Sequence, residues 1–144
     1  MTKLPIGMKG IQSAQAARDA VNHGVPLIIL SNHGARNLDG SPSPLEVALE
    51  ISKNDPSLFK EADVLADGGV RYGTDALKLL SLGVKAVGLG RPFMFANVYG
   101  QSGIEKVADI MKTQLAGDAA NLGVPSLKTI TPDYVDWNPN LWYS

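Results

Sequence analysis

The chain lacks cysteine, long apolar runs and an excess of either charge. Without cysteine, disulfides, thiolate zinc sites and iron–sulfur clusters are excluded. Thirteen basic and fourteen acidic residues give a net charge of −1, with no run of like charge to attract nucleic acid or an anionic membrane. No stretch reaches the roughly 18 apolar residues of a membrane helix, and no signal-peptide pattern is present. We expect no nucleic-acid or membrane partner and, by default, a cytoplasmic location, with mitochondrial and peroxisomal locations as alternatives.

Four short apolar runs set the predicted architecture. The chain has 144 residues and is 44% hydrophobic, enough for one domain with its own core. Each run leads into a polar or glycine-rich loop and then into a segment whose apolar residues recur with the period of an α-helix, which is typical of βα units. We predict strands at Ile6–Met8, Leu27–Leu30, Val64–Ala66 and Ala86–Leu89. The runs do not alternate with polar residues, which favours a parallel sheet covered by helices, either doubly wound or a barrel.

Capping and stop signals divide the remaining chain into helices. Serine and threonine favour helix N-caps, and glycine favours helix ends. We predict N-caps at Ser13, Ser43 and Thr74, and helix ends at Gly24, Asn54 and Gly83. The dipeptide Gly-Val follows a helix at 24–25 and again at 83–84, a weak internal repeat. A last helix is predicted over about 103–122 and a tail over 124–144, whose Trp137, Trp142 and Tyr143 are assigned to packing.

Charged and polar side chains follow every predicted strand. In parallel α/β folds, functional groups collect on the loops after the strand C-termini. The residues at these positions are Lys9, His33, Arg36, Asp67, Arg71 and Arg91. His23 lies instead at a helix C-terminus, where we predict a capping role.

Two consecutive glycine–arginine loops indicate a phosphorylated ligand. Gly68 and Gly69 let backbone N–H groups approach a ligand, and Arg71 can pair with phosphate in two hydrogen bonds. Gly90 and Arg91 repeat this arrangement one strand later, and barrel phosphate sites are often formed by the last two strand loops. The segment is not a dinucleotide fingerprint, because Phe93 occupies the place of the third glycine. The alternative is that the glycines only form turns and the arginines are solvated.

His33 and Arg36 suggest acid–base chemistry on a carboxylate. Histidine changes charge near neutral pH and is a common general base, and an arginine three residues later can hold a carboxylate. Such a pair suits proton removal next to an acid group. The alternatives are a histidine that bonds its own loop and, for Lys9, an ordinary surface lysine.

Three motifs carry a resemblance to a known family. They are LPIGMKGIQ at 4–12, LSNHGARNLDG at 30–40 and ADGGVRYGTDALKLLSLGVKAVGLGRPFMFA at 66–96. Together they resemble the FMN-dependent 2-hydroxy-acid dehydrogenase and oxidase family, which includes glycolate oxidase, lactate oxidase and the flavin domain of flavocytochrome b2. The resemblance implies a TIM-type (βα)8 barrel with FMN across its C-terminal face. This chain corresponds to about the last four βα units, a half-barrel.

The resemblance implies a role for each site residue. Lys9 corresponds to the lysine beside the flavin N1/O2 edge, and Ser31 to a flavin-contacting serine. His33 corresponds to the catalytic base and Arg36 to the substrate carboxylate clamp. The remaining cofactor-binding residues hold the ribityl chain and phosphate, and they are Asp67, Gly68, Gly69, Val70, Arg71, Gly90 and Arg91. The implied reaction is oxidation of an (S)-2-hydroxy acid of lactate or glycolate type to the 2-oxo acid, with proton abstraction and reduction of FMN.

Departures from the family pattern bear on partners and activity. Tyr72 stands where a second arginine is usual, so the phosphate loop has one cation fewer. The first four βα units of the family are absent from this sequence, so we expect self-association or docking with a complementary N-terminal half-barrel. Two alternative functions stay open. One is a truncated, non-catalytic half-barrel that binds FMN or phosphate, and the other is a flavin-free phosphate-binding barrel protein.

Overall fold

A single parallel sheet of four strands forms the centre of the molecule. The computed structural model describes residues 3–136, so the predicted packing roles of Trp137, Trp142 and Tyr143 lie outside the described residues. The strands are β1 (Gly7–Ile11), β2 (Leu27–Ser31), β3 (Asp63–Asp67) and β4 (Ala86–Gly88). They are hydrogen-bonded in the order β1-β2-β3-β4, and every neighbouring pair is parallel. Parallel strands that lie side by side in the order of the sequence are typical of part of a barrel, because the strand order of a doubly wound sheet reverses at one point.

Within residues 3–136, six α-helices follow or precede these strands. They are α1 (Ala14–Asn22), α2 (Pro44–Asn54), α3 (Leu58–Glu61), α4 (Gly73–Ser81), α5 (Arg91–Ala96) and α6 (Gly100–Asn121). Short 3-10 turns lie at Asn97–Tyr99 and Pro132–Tyr134. The last helix therefore begins a few residues before its predicted start, and α3 was not predicted. None of the described helices is long and apolar enough to span a bilayer.

Two of the three predicted N-caps are confirmed. The Ser13 hydroxyl accepts from the Ala16 N–H at 3.1 Å. Ser43 and Glu46 form a capping box, in which the Ser43 hydroxyl accepts from the Glu46 N–H and the Glu46 carboxylate accepts from the Ser43 N–H at 2.6 Å. Each cap satisfies a backbone donor that has no partner within its helix.

The predicted cap at Thr74 is wrong. Helix α4 begins at Gly73 with Tyr72 as its N-cap, two residues before the predicted cap, so Thr74 lies inside its first turn. The carboxylate of Asp75 takes the capping role, because its Oδ2 accepts from the N–H groups of Arg71 and Tyr72 at 2.9 and 3.0 Å. An aspartate in the first turn also suits the positive end of the helix dipole.

The first strand is longer than predicted, and this changes the position of Lys9. Strand β1 runs past Met8 to Ile11, so Lys9 lies within the strand and not in the loop after it. The register with β2 shifts between Lys9 and Ile11, and Gly10 between them has φ of 95°. A bulge at a glycine lets the strand continue with one residue unpaired. At the other edge, β4 ends at Gly88, one residue before the predicted end.

The two faces of the sheet have different surroundings. On the face covered by helices, Ile28, Leu30 and Val64 are completely buried. The alternate residues Leu27, Ile29 and Leu65 are only half-buried. Successive side chains of a strand point to opposite faces, so the apolar runs supply both a core and a second apolar face.

The Gly-Val dipeptide after a helix occurs three times in the described residues. The Val25 N–H bonds the Ala20 carbonyl at 3.1 Å and the Val84 N–H bonds the Leu79 carbonyl at 3.2 Å, as the repeat in the sequence suggested. The same kind of hydrogen bond ends α6, where the Val124 N–H donates to the Ala119 carbonyl at 2.9 Å. These six-residue closures satisfy carbonyls left free at a helix end.

Candidate functional site

A cleft of about 480 Å³ opens at the carboxyl ends of the strands. All the predicted site residues except Ser31 line it: Lys9, His33, Arg36, Asp67, Gly68, Gly69, Val70, Arg71, Gly90 and Arg91. Val70 exposes little of its surface to the cleft, because it is 5% exposed and its side chain belongs to the hydrophobic core. A volume of this size is in the range of small-molecule sites.

The loop after β2 has an unusual backbone that brings His33 and Arg36 to the cleft. His33, Gly34 and Ala35 have φ of 57°, 70° and 58°, so three successive residues are left-handed. For a residue with a side chain this conformation costs roughly 1–2 kcal/mol. Such strain persists only where the surroundings enforce it, and it is concentrated at functional sites.

Asn32 contributes to this loop and was not singled out from the sequence. Its side chain is 8% exposed, and its Oδ1 accepts from the Ala35 N–H at 3.1 Å. Asparagine side chains often bond nearby backbone groups in turns, and this preference is the signal by which Asn32 could have been identified from the sequence.

A polar network connects strands β1, β2 and β3 at the wall of the cleft. The Asp67 carboxylate pairs with the Lys9 ammonium through one oxygen and accepts from the Ser31 hydroxyl through the other. The Ser31 oxygen in turn accepts from the His33 N–H at 3.1 Å. Ser31 is 2% exposed, so the structure places its hydroxyl below the cleft surface. Its predicted contact with a flavin stays a prediction.

Two of the three arginines of the cleft are held by backbone carbonyls. Arg36 Nε donates to the His33 carbonyl at 3.2 Å, and Arg91 Nη2 donates to the Gly34 carbonyl at 3.1 Å. At Arg71 only the backbone is fixed, because its N–H donates to the Asp75 carboxylate at 2.9 Å. No described carboxylate forms a salt bridge with any of the three. With Lys9, the lining has four cationic side chains and one carboxylate, so the cleft attracts anions.

The glycines leave room for a ligand at the cleft wall. A Cβ at Gly69 or Gly90 would meet no atom within 4 Å, so the backbone there is open to the cleft. On the rim, Met94 and Phe95 are 68% and 72% exposed. Excess positive charge, open glycine backbone and an apolar rim together suit a ligand with a phosphate and an apolar ring system.

The shifted pKa values lie outside the cleft, in a cluster that joins α1 to the segment around α3. Arg18 donates to both Asp55 oxygens at 2.6 and 2.7 Å and to Glu61 at 2.6 Å. These bonds lower the pKa of the Asp55 and Glu61 carboxyls and raise that of the Arg18 guanidinium. His23 also lies outside the cleft and bonds the Asp19 carbonyl through Nδ1 at 2.7 Å, in the capping position predicted for it.

The model of one protein family matches residues 1–137, and its description is FMN-dependent dehydrogenase. Among curated relatives, the L-lactate dehydrogenase (cytochrome) of Saccharomyces cerevisiae is 45% identical over 138 residues, covering 94% of this chain and 23% of that protein. The 2-hydroxyacid oxidase 1 of Homo sapiens is 42% identical, covering 96% of this chain and 37% of the oxidase. A peroxisomal (S)-2-hydroxyacid oxidase of Arabidopsis thaliana is 40% identical.

Solved structures agree with these relatives. A mutant flavocytochrome b2 with pyruvate bound matches 99% of this chain with a TM-score of 0.90 and 42% identity, and the match covers 38% of that structure. A mandelate oxidase mutant with an FMN adduct matches 91% of this chain with a TM-score of 0.81 and 33% identity. The chain thus spans well under half the length of the proteins it matches. Its four βα units correspond to part of the barrel of those proteins.

Proposed function

This chain belongs to the FMN-dependent dehydrogenase family, and on that premise we propose that it forms the phosphate-binding and acid–base part of a 2-hydroxy-acid oxidoreductase. The substrate is a small (S)-2-hydroxy acid of lactate or glycolate type, and the product is the 2-oxo acid. One observation carries the proposal. The residues predicted to bind one ligand come from four different strands or from the loops that follow them, and they line one cleft. Relatives named as lactate dehydrogenase and 2-hydroxyacid oxidases support the substrate class.

Arg71 and Arg91 would hold the phosphate of FMN. Both guanidinium groups lie on the cleft without a carboxylate partner among the described residues, and the open backbone at Gly69 and Gly90 offers N–H donors beside them. Phosphate bonds with arginine in parallel hydrogen bonds that are about twice as strong as neutral ones. Bound FMN supplies the acceptor for two electrons. Lys9 would place a positive charge near its ring, with Asp67 keeping the ammonium in position.

His33 and Arg36 would act on the substrate. Arg36 uses its Nε for the His33 carbonyl, which leaves the end of the guanidinium to bind the substrate carboxylate. His33 would accept a proton from the hydroxyl or Cα of the bound acid as the electron pair leaves toward the flavin. The alcohol would thereby lose two electrons and two protons and become the carbonyl of the 2-oxo acid. His33 would hold one of the protons, and reduced FMN would hold the other together with the two electrons.

We further propose that the complementary βα units of the barrel cover the second face of the sheet. Ile6 and Met8, at the β1 edge, are 65% and 44% exposed, and Met94 and Phe95 on the cleft rim are more exposed still. Open strand edges and apolar patches of this kind favour association. Light scattering should show association, either with those units or between copies of this chain, and a lone monomer would contradict it. The cytoplasm stays the predicted compartment, with mitochondrion and peroxisome as alternatives.

Absorbance spectroscopy tests the reaction. The chain, with and without the complementary βα units, is loaded with FMN and mixed anaerobically with L-lactate or glycolate. We expect bleaching of the flavin band, and His33→Asn should slow it by about 10²–10⁴ while FMN stays bound. Bound FMN that no 2-hydroxy acid bleaches would mean a non-catalytic FMN-binding half-barrel. A colourless protein that takes up no FMN would mean a flavin-free phosphate-binding barrel protein.

A further inference from the structure

We infer that Asn32 is a positioning residue, which sets the shape of the loop that carries His33 and Arg36. The inference rests on the proposed function of those two residues. Asn32 is 8% exposed and does not line the cleft, so it reaches the reacting groups only through the loop. Each end of its amide has a backbone partner.

The amide oxygen stabilises the left-handed turn. The Ala35 N–H is shared between the Asn32 carbonyl and the Asn32 Oδ1, both at 3.1 Å. This doubly accepted donor closes a turn whose three residues all have positive φ, two of them with side chains. Without the Oδ1 acceptor, the loop would lose one of the bonds that offset its strain.

The amide nitrogen connects the two ends of the loop. Asn32 Nδ2 donates to the Pro42 carbonyl at 3.2 Å, ten residues along the chain and directly before Ser43, the N-cap of α2. The loop that holds Arg36 is therefore tied to a capped helix.

The Asn32 side chain also packs against the neighbouring glycine loop. A Cβ at Gly68 would lie 3.0 Å from the Asn32 Oδ1, so only glycine allows this approach without a shift. The amide thus sits between the loop proposed to act on substrate and the loop proposed to hold FMN. We expect its removal to move the first loop more than the second, because its hydrogen bonds go to the first.

The two ends of the amide can be separated by substitution. Asn32→Asp keeps an oxygen for the Ala35 N–H and removes the donor to Pro42, whereas Asn32→Ala removes both. Asn37→Ala is the matched control, because Asn37 is an exposed asparagine of the same loop.

Amide hydrogen exchange on the ligand-free chain is the first measurement. Asn32→Ala should speed exchange at Ala35 by about tenfold, the change that corresponds to loss of one net hydrogen bond, while exchange at Leu30 and Val64 in the core stays within about twofold. Asn32→Asp should restore slow exchange at Ala35, and Asn37→Ala should not change it. Equal exchange at Ala35 in wild type and Asn32→Ala would overturn the inference, as would equal acceleration throughout the core.

Ligand affinity is the second measurement. In the FMN-loaded chain, Asn32→Ala should weaken binding of pyruvate, which presents the carboxylate of a 2-oxo acid, by about tenfold, with FMN affinity changed by less than about twofold. Equal losses for both ligands would overturn the positioning role. A wild-type chain that binds neither ligand would contradict the proposed function, while the exchange measurement would still decide the role of Asn32.

Discussion

Arginines in two regions of the molecule differ in whether carboxylates neutralise their charge. In the outer helical layer, Arg18 is neutralised by two carboxylates, Asp55 and Glu61. On the cleft, the Arg36 and Arg91 side chains bond carbonyl oxygens and no carboxylate among residues 3–136. A carbonyl fixes a guanidinium without cancelling its charge. The outer layer thus uses charge to join helices, whereas the cleft keeps positive charge available for an anion.

The same two regions differ in backbone and packing. The helix-covered side consists of regular elements and fully buried side chains such as Ile28 and Leu30. The cleft is formed by left-handed residues and open glycines, which cost free energy of folding. We infer that stability comes mainly from the covered layer, and the free-energy cost of the cleft backbone fits the ligand-binding role proposed for it. The predictions below test this difference from the largest expected effect to the smallest.

A pair of adjacent isoleucines tests the two faces of the sheet. Ile28 is completely buried under the helices, and Ile29 is half-buried on the opposite face. Ile28→Ala should lower the free energy of unfolding by about 2–5 kcal/mol, because it leaves a cavity in the core. Ile29→Ala should cost less than half of that in the same urea titration. Equal losses would show that the second face is as well covered as the first.

A pair of adjacent glycines tests the cleft backbone. Both have positive φ, 105° at Gly68 and 81° at Gly69. Gly69→Ala should cost about 1–2 kcal/mol from backbone strain alone, since its methyl group would enter open space. Gly68→Ala should cost more, because its methyl group would press on the Asn32 side chain. The order of the two unfolding midpoints is the readout, and the reverse order would contradict the described contact.

The arginine cluster of the outer layer predicts a pH dependence of stability. Hydrogen bonds from Arg18 lower the pKa of the Asp55 and Glu61 carboxyls in the folded chain. Their stabilisation is therefore present above the unfolded-state pKa, near 4, and is lost as the pH falls through the lower folded-state values. Thermal unfolding between pH 7 and pH 2 should show Tm falling mainly below pH 4.

Removal of the guanidinium supplies the control for that profile. Arg18→Gln should flatten the fall in Tm below pH 4, and removal of an exposed positive charge on α6 by Lys112→Gln should leave it intact. Profiles of the same shape for wild type and Arg18→Gln would contradict the assignment.

Much of the site could be predicted because local sequence determines it. Apolar runs fix the strands, and the polar residues after them fall at one edge of a parallel sheet. For this reason Asp67, Arg71 and Arg91 were expected near His33, where the cleft contains them.

What the sequence did not predict depends on contacts between distant segments. The pairing of Lys9 with Asp67 spans 58 positions and joins β1 to β3, which are not neighbours in the sheet. Ser31 is buried and its hydroxyl donates to the same carboxylate, a contact that spans 36 positions. The cap was misplaced at Thr74 because threonine favours N-caps and tyrosine does not, whereas the N-cap of α4 is Tyr72. Asp75, inside the first turn, accepts from two N–H groups in place of an N-cap side chain.

The central claim is that strand ends converge on an anionic, phosphate-bearing cofactor, and a comparison of FMN with riboflavin tests it most directly. The two ligands share the ring and ribityl chain and differ by the phosphate, so fluorescence titration isolates the arginine loops. We predict that the chain binds FMN about 10–100-fold more tightly than riboflavin. Arg71→Gln and Arg91→Gln should reduce that preference, and Arg18→Gln should not. Equal affinity for FMN and riboflavin, or a preference that survives both cleft substitutions, would contradict the account.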